Sequence, residues 1–313
     1  MWQMFYNNYN IVNMKNLYNL IILSFVLFIL TTGCDSKKEV VPAYLHITKF
    51  ILTTNPLTEG LNTQEISDAK VFANGKEIGS FELPITIPIS VKGNKVVILV
   101  LANIKENGSS SKRVNYSPYL YFIDTLNLAE NEIDSIRPKI RYRSNANFAW
   151  LEDFEDQANS LQKSGSSNTN DSLLIIPTSN NGVDQPFSGS KYCGLIDIAA
   201  SDKEVIFERN TLNQYTVPNK GADVYLEMDI KTNVNLQVGI YTDDGTTIQE
   251  IPIYVIFDTE TKWKKAYINL NSETGTLSSN SKIRLFFGIY KSGSDITTAP
   301  KVYLDNLKLI YLN

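Results

Sequence analysis

VYLEMDIKT, residues Val224–Thr232, alternates strictly, with Val224, Leu226, Met228 and Ile230 on one side and Tyr225, Glu227 and Asp229 on the other. A side-chain period of two is strand spacing. It turns the aliphatic set towards a core and leaves Glu227 and Asp229 facing solvent. The same spacing recurs on either side of this stretch. KYCGLIDIA and KEVIFER precede it; NLQVGIYT, IPIYVIFD, WKKAYINL, KIRLFFGIY and KVYLDNLKLIYL follow. Loops rich in Gly, Asn, Ser and Asp join them, as at Asp243–Gly245 and Gly293–Asp295. No segment of useful length beyond the N-terminal region has helical spacing. Residues 146–313 therefore read as a β-sandwich, a jelly roll.

If Leu226, Val238, Ile253, Ile268 and Phe287 face the core, the opposite parity exposes Tyr225, Tyr241, Tyr254, Trp263, Tyr267, Phe286 and Tyr290. Exposed rings on one sheet stack on sugars or seat a protein partner. The competing reading packs some of them against the preceding domain or a long loop. WLEDFED, Trp150–Asp156, opens this half of the chain with four carboxylates in five residues. Chemistry, a metal site and an acidic turn are all open at that point.

Upstream, AYLHITKFIL also alternates, and DAKVFANGKEIGSFELP places Asn74-Gly75 between two strand-like arms. Both central positions of a type I′ turn need positive φ, so Asn-Gly is a strong hairpin signal. KVVILVLANI, Lys95–Ile104, reads as a continuous apolar strand buried on both faces. An immunoglobulin-like sandwich of about seven strands over residues 43–145 accounts for this half. Over Asp68–Gly108 the order of hairpin, ELP, Gly turn and buried strand resembles PEGA-type β-sandwich modules, which implies a spacer without catalytic residues.

In the second half, FE at 154–155, SGSKY (Ser188–Tyr192), VYLEMDIK, a Trp leading a strand and YLDNLKL follow in order. This series is similar to jelly-roll carbohydrate-binding modules of the galactose-binding-like fold, over Phe148–Leu312. The resemblance implies that first and last strands meet and share a structural calcium. Matched motif by motif, Glu155 and Asp305 would be its ligands, with Glu152, Asp153 or Asp156 and backbone carbonyls near Ser190 or Lys191 adding oxygens. Calcium takes six to eight oxygens in irregular geometry, which such a loop can supply. Glu227 and Asp229 match the first two carboxylates of the E-x-D-x-x-E motif of laminarinase-type enzymes, but Thr232 holds the third position. The single histidine, His46, excludes multi-histidine metal sites.

The N-terminus is not part of either sandwich. Lys15 is followed by an apolar run, Leu17–Leu30, and then by LTTGC, Leu30–Cys34. Basic start, short apolar core and small residues describe a secretory signal, and the run is short for a membrane span. Gly33-Cys34 resembles the lipobox of bacterial lipoproteins, with Leu30 one position early and Thr31 in the usual Leu place. Residues 1–33 are then a signal peptide (1–13 a mis-called start, with Met14 the natural one) and 34–42 a tether lipidated at Cys34. Acyl chains such as palmitate would hold the protein stably on a membrane, the outer membrane being the expected one. Cys193, the other cysteine, lies in a strand and reads as an inert buried thiol.

The chain has 313 residues, 43% hydrophobic and 20% charged, with net charge −4. That is ample for packed cores and unsuited to a phosphate backbone, so no nucleic-acid partner is expected. The expectation is an all-β, non-catalytic cell-envelope lipoprotein whose second sandwich binds a glycan or another surface component. A structural or adhesion subunit using the aromatic face as a protein interface is the alternative, and a polysaccharide hydrolase or lyase a third.

Overall fold

A computed structural model of the chain describes residues 17–22, 24, 41–90, 93, 95–169, 172–178, 189–199, 204–260, 262–278, 280–292 and 299–313. Residues 17–22 are helical, and no helix among the described residues is long and apolar enough to cross a membrane. The lipobox and Cys34 lie outside the described residues. Pro42–Asn313 forms one compact unit, and it is all-β.

Ten strands build the first sandwich: β1 (Ala43–Ile47), β2 (Ile51–Thr53), β3 (Ile66–Ala73), β4 (Lys76–Glu82), β5 (Ile85–Ile89), β6 (Lys95–Lys105), β7 (Arg113–Asn115), β8 (Phe122–Asn127), β9 (Ile133–Ile136) and β10 (Lys139–Arg141). One sheet runs β4-β3-β6-β7, with β8 also on β6; opposite lie β5-β1-β9 and the pair β10-β2. The β3–β4 hairpin turns at Asn74-Gly75, with φ of 49° and 78° and Ala73 opposite Lys76. This is the type I′ geometry expected from the dipeptide. Strand β6 departs from expectation. Val96, Ile98, Val100 and Ala102 are buried, whereas Lys95 and Val97 are open to solvent. Its outer face is open at Lys95 and Val97 and half-buried at Leu99 and Leu101, so an unbroken apolar run here did not mean burial on both sides.

Eleven strands build the second sandwich: β11 (Ala146–Glu152), β12 (Leu161–Lys163), β13 (Leu173–Pro177), β14 (Tyr192–Asp197), β15 (Glu204–Thr211), β16 (Val224–Thr232), β17 (Leu236–Asp243), β18 (Ile248–Ile256), β19 (Lys264–Asn269), β20 (Lys282–Ser292) and β21 (Lys301–Leu312). One sheet runs β13-β14-β21-β16-β19 with β11 also on β21; the other runs β12-β15-β20-β17-β18. They face each other as a jelly roll around Leu226, Met228, Val238, Phe287, Leu304 and their neighbours. At ~25 cal/mol per Å² of apolar area, this continuous core is the main stabilising term of the second sandwich.

Strand β16 is buried on both faces, as is its neighbour β21 from Leu304 to Ile310. The even residues of β16 enter the second core as the alternation requires. Tyr225, Glu227 and Asp229 do not meet solvent, because the first sandwich lies over them. Tyr225, Tyr267 of β19 and Ile310 of β21 belong to the core cluster of the first sandwich. Tyr116 stacks edge-on against Tyr225 and Tyr267, each with centroids 4.9 Å apart.

Candidate functional site

Three places gather the residues singled out by sequence. The first is the seam under β16. Glu227 and Asp229 are fully buried, which corrects the expectation that they face solvent. Lys265 Nζ lies 3.2 Å from Glu227 Oε2 and 3.3 Å from Asp229 Oδ1, and donates to Thr63 Oγ1. Tyr116 and Tyr142 hydroxyls donate to Glu227 at 2.7 and 2.9 Å. Asn306 Nδ2 donates to Asp229, and Lys308 Nζ donates to Leu61 O and reaches Tyr142. Burial alone would raise the Glu227 carboxyl; Lys265, Lys308 and the two phenols outweigh it and hold it below its ordinary range. For Asp229 burial wins over Lys265, and its carboxyl is raised. Burial and the charge of Lys265 bring Lys308 down to about 8. Gly60, at φ 71°, is required here: a Cβ would sit 2.9 Å from Lys308 Cε. These two carboxylates face no open cleft. They fasten one sandwich to the other.

The second place is the acidic knot, where β11 ends. Glu152 accepts from Phe154 N on one oxygen and from Ser160 N and Oγ, both at 2.6 Å, on the other. Ser160 Oγ also accepts from Trp150 Nε1. Asp153 and Asp156 each accept a backbone N–H two residues ahead, those of Glu155 and Ala158. Such Asx turns explain the density of short acids in the stretch. Phe154, at φ 58°, is buried in the core and its ring covers Gly194, whose Cβ would lie 2.8 Å from it. Glu155 turns the other way and accepts from Lys191 N at 2.7 Å and Tyr192 N at 3.1 Å.

Asp305 sits beside this. Strand β11 pairs with β21 up to Leu307, β14 pairs with it from Leu304, and Asn306 takes a φ of 46° at the bulge between. Asp305 Oδ1 accepts from Asn306 N, while its buried Oδ2 has no partner. Ser190 Oγ lies towards that carboxylate without closing a hydrogen bond. Burial, with the charges of Asp229 and Glu155, pushes the Asp305 carboxyl well up. Of the other four carboxylates expected to share a cation with Asp305, Glu155 is the one whose charge is felt there. Glu152, Asp153 and Asp156 are engaged by their own loop. No group of three or more acidic, His or Cys side chains gathers as an ion cluster among the described residues.

The third place is the outer face of the β12-β15-β20-β17-β18 sheet. Glu208 is fully buried there, receiving Tyr241 and Tyr290 hydroxyls at 2.5 Å each. Tyr241 Oη also lies 3.1 Å from Glu250 and near Ser164 and Ser166. Burial and Glu208 push the Tyr241 phenol up to about 12 and Tyr290 higher still. Cross-strand register aligns Glu208 with Gly288 and Gln237, and Asn210 with Phe286 and Gly239. Gly288 has no side chain to lift Tyr290 off the sheet; a Cβ there would lie 2.6 Å from the ring. The ring therefore lies along the surface, 44% exposed. On the same face Arg284 Nε and Asn210 Oδ1 are buried without hydrogen-bond partners.

The seven rings expected to be exposed are thus dispersed, and Phe286, packed 5.3 Å from Tyr241, is fully buried. Tyr241 and Tyr290 share this face. Tyr225 and Tyr267 are buried beneath the first sandwich, Trp263 lies 6.3 Å from Tyr303, and Tyr254 stands near Gly108. Strand parity shows which way a side chain points from its own core but not which sheet it belongs to, nor what covers that sheet. Glu208, Asn210 and Arg284 escaped notice for the related reason that each is an ordinary polar residue of an alternating strand. The available signal was in KIRLFFGIY, where Arg284, Phe286, Gly288 and Tyr290 share one parity.

No protein-family model matches the chain, and no curated protein matches it. Solved structures similar to it include jelly-roll carbohydrate-binding modules. One is the CBM22-2 xylan-binding domain of Paenibacillus barcinonensis Xyn10C, 11% identical, covering 53% of this chain and 99% of that one at a TM-score of 0.36. Another is the family 11 module from Clostridium thermocellum with a β-1,3-1,4-mixed-linked tetrasaccharide, 12% identical, covering 51% and 93% at 0.34. A third is CBM27-1 of Caldicellulosiruptor saccharolyticus with mannohexaose, 14% identical, covering 53% and 97% at 0.33.

Proposed function

We propose that this protein is a cell-envelope lipoprotein, anchored through Cys34, whose second sandwich binds a glycan without acting on it. The observation that carries the reading is the outer face of the β12-β15-β20-β17-β18 sheet. An exposed ring lying along the sheet shares that face with a buried donor and a buried acceptor that have no partners. Sugar hydroxyls both donate and accept, and a pyranose offers an apolar face to a ring, so a glycan chain lying along β20 suits a face that carries these three kinds of group. Unsatisfied buried polar atoms cost ~1–3 kcal/mol each, which a ligand completing them would recover. Glu208 holds the two tyrosines by their hydroxyls and is itself fully buried, which suits positioning and not acid–base chemistry.

Calcium fits Glu155 and Asp305 as a structural ion. The orphaned Asp305 Oδ2, the nearby Ser190 Oγ and the crowding of Asp229 and Glu155 around a buried carboxyl are what a divalent cation would relieve. Bound there, it would tie β11 to β21.

The test is a glycan array on the full chain, with and without calcium, repeated with Tyr290→Ala and Arg284→Ala. A polysaccharide hit that each variant weakens about tenfold supports the reading. No hit, together with a recovered protein partner sensitive to Tyr290→Ala, replaces it with the adhesion role. Anchoring predicts that Cys34→Ser yields no acylated product; acylation of that variant would overturn it.

A further inference from the structure

A cavity of about 270 Å³ opens where the two sandwiches meet, at the end of β18. Glu65 and Lys105 line it from the first sandwich, and Tyr254, Phe257, Asp258 and Lys264 from the second. It is separate from the Tyr241–Tyr290 face and requires both halves of the chain. We infer that this cavity binds a single neutral sugar unit, as a second glycan subsite.

Its volume lies at the lower end of small-ligand pockets, room for one residue and not for a chain. Phe257, 65% exposed, and Tyr254 both line it, so an apolar surface is offered to one face of a ligand. Lys105, Lys264, Glu65 and Asp258 bring two cations and two carboxylates to the lining; Lys265 also lines it, with its ammonium paired to Glu227 and Asp229. A purely apolar ligand would strip water from all four charges at a cost, and an ion of either sign would meet a like charge. A polyhydroxylated neutral ring meets acceptors in Glu65 and Asp258 and donors in Lys105 and Lys264.

The walls are also held in place before any ligand arrives. Glu65 Oε2 accepts from Lys265 N at 2.9 Å, and Glu65 N donates to the Tyr267 hydroxyl at 3.1 Å. Thr259, next to Asp258, is fixed to Thr232 through both backbone and hydroxyl. Asp258 Oδ1 accepts from Glu260 N. Rigid walls lower the ordering cost of binding a small ligand.

The experiment is saturation-transfer NMR on the full chain with free glucose, galactose, mannose, xylose and N-acetylglucosamine. The expected result is transfer to at least one of them, weakened about tenfold by Phe257→Ala and by Lys264→Ala. Tyr290→Ala should leave this transfer in place, which separates the subsite from the sheet face. Phe257 is exposed, so its variant should fold, and circular dichroism checks that it does. Absence of transfer from every sugar, or transfer that responds to Tyr290→Ala and ignores Phe257→Ala, overturns the inference.

Discussion

Glu227 shows how much a single side chain can depend on its surroundings. In the strand it is one of two acids at odd positions, unremarkable on a solvent-facing edge. In the folded chain it is fully buried and the acceptor for two phenols and one ammonium. Removing one partner from a buried pair leaves the other uncompensated, so Glu227→Ala should cost ~3–5 kcal/mol, read as a lower denaturation midpoint. A loss within 1 kcal/mol would mean that the seam is hydrated. The phenols make a second test. Burial raises Tyr116, Tyr119, Tyr142 and Tyr267 well above the ordinary value near 10. Above pH 10 the unfolded chain releases these protons and the folded chain keeps them, so stability is full below that pH and falls as pH rises. Tyrosinate absorbance from these residues should therefore appear together with loss of near-ultraviolet dichroism, not before it. Cys193 belongs at this scale too. Burial first, and then the charge of Asp305, push its thiol up to about 12. Native protein at pH 8 should leave it unalkylated by iodoacetamide, with labelling only after unfolding, as mass spectrometry would show.

Elements differ in how far their residues foretell them. The Asn74-Gly75 hairpin is local chemistry: two positions of positive φ, two residues that tolerate it. The acidic knot is nearly as local, since three of its four carboxylates bind backbone N–H groups within eight residues. Strands β6 and β16 are different. Both are apolar enough to be central, yet β6 shows one face to solvent and β16 shows none. The clasp of β11 and β21 around Asp305 carries the cation proposal, and its test belongs here. With calcium at 100 times its Kd the second sandwich would gain ~2.7 kcal/mol. A chelator should then lower its Tm by several degrees in the native chain and leave Asp305→Asn unmoved. Equal melting of the native chain with and without chelator would remove the ion.

For the whole molecule, the seam makes two sandwiches behave as one body. Its hydrogen bonds and the Tyr116–Tyr225–Tyr267 stack link residues more than a hundred positions apart, as Tyr116 to Glu227, Thr63 to Lys265 and Leu61 to Lys308. Residues Pro42–Asn313 should melt in a single calorimetric transition, and Lys265→Ala should resolve it into two; two transitions in the native chain would contradict a shared seam. Strand positions, the parity of each strand, the Asn74-Gly75 turn and the all-β class follow from the sequence alone, because period-two alternation and turn conformations are properties of neighbouring residues. The tertiary structure alone decided what lies over each face. It covered Tyr225, Glu227, Asp229 and Tyr267 with the first sandwich and left Tyr241 and Tyr290 on the other sheet, joined through Glu208. Alternation records only that a side chain turns away from its own core. Whether it then meets water, a ligand or another sheet depends on contacts made by distant parts of the chain, and those exist only once both sandwiches have closed on β16.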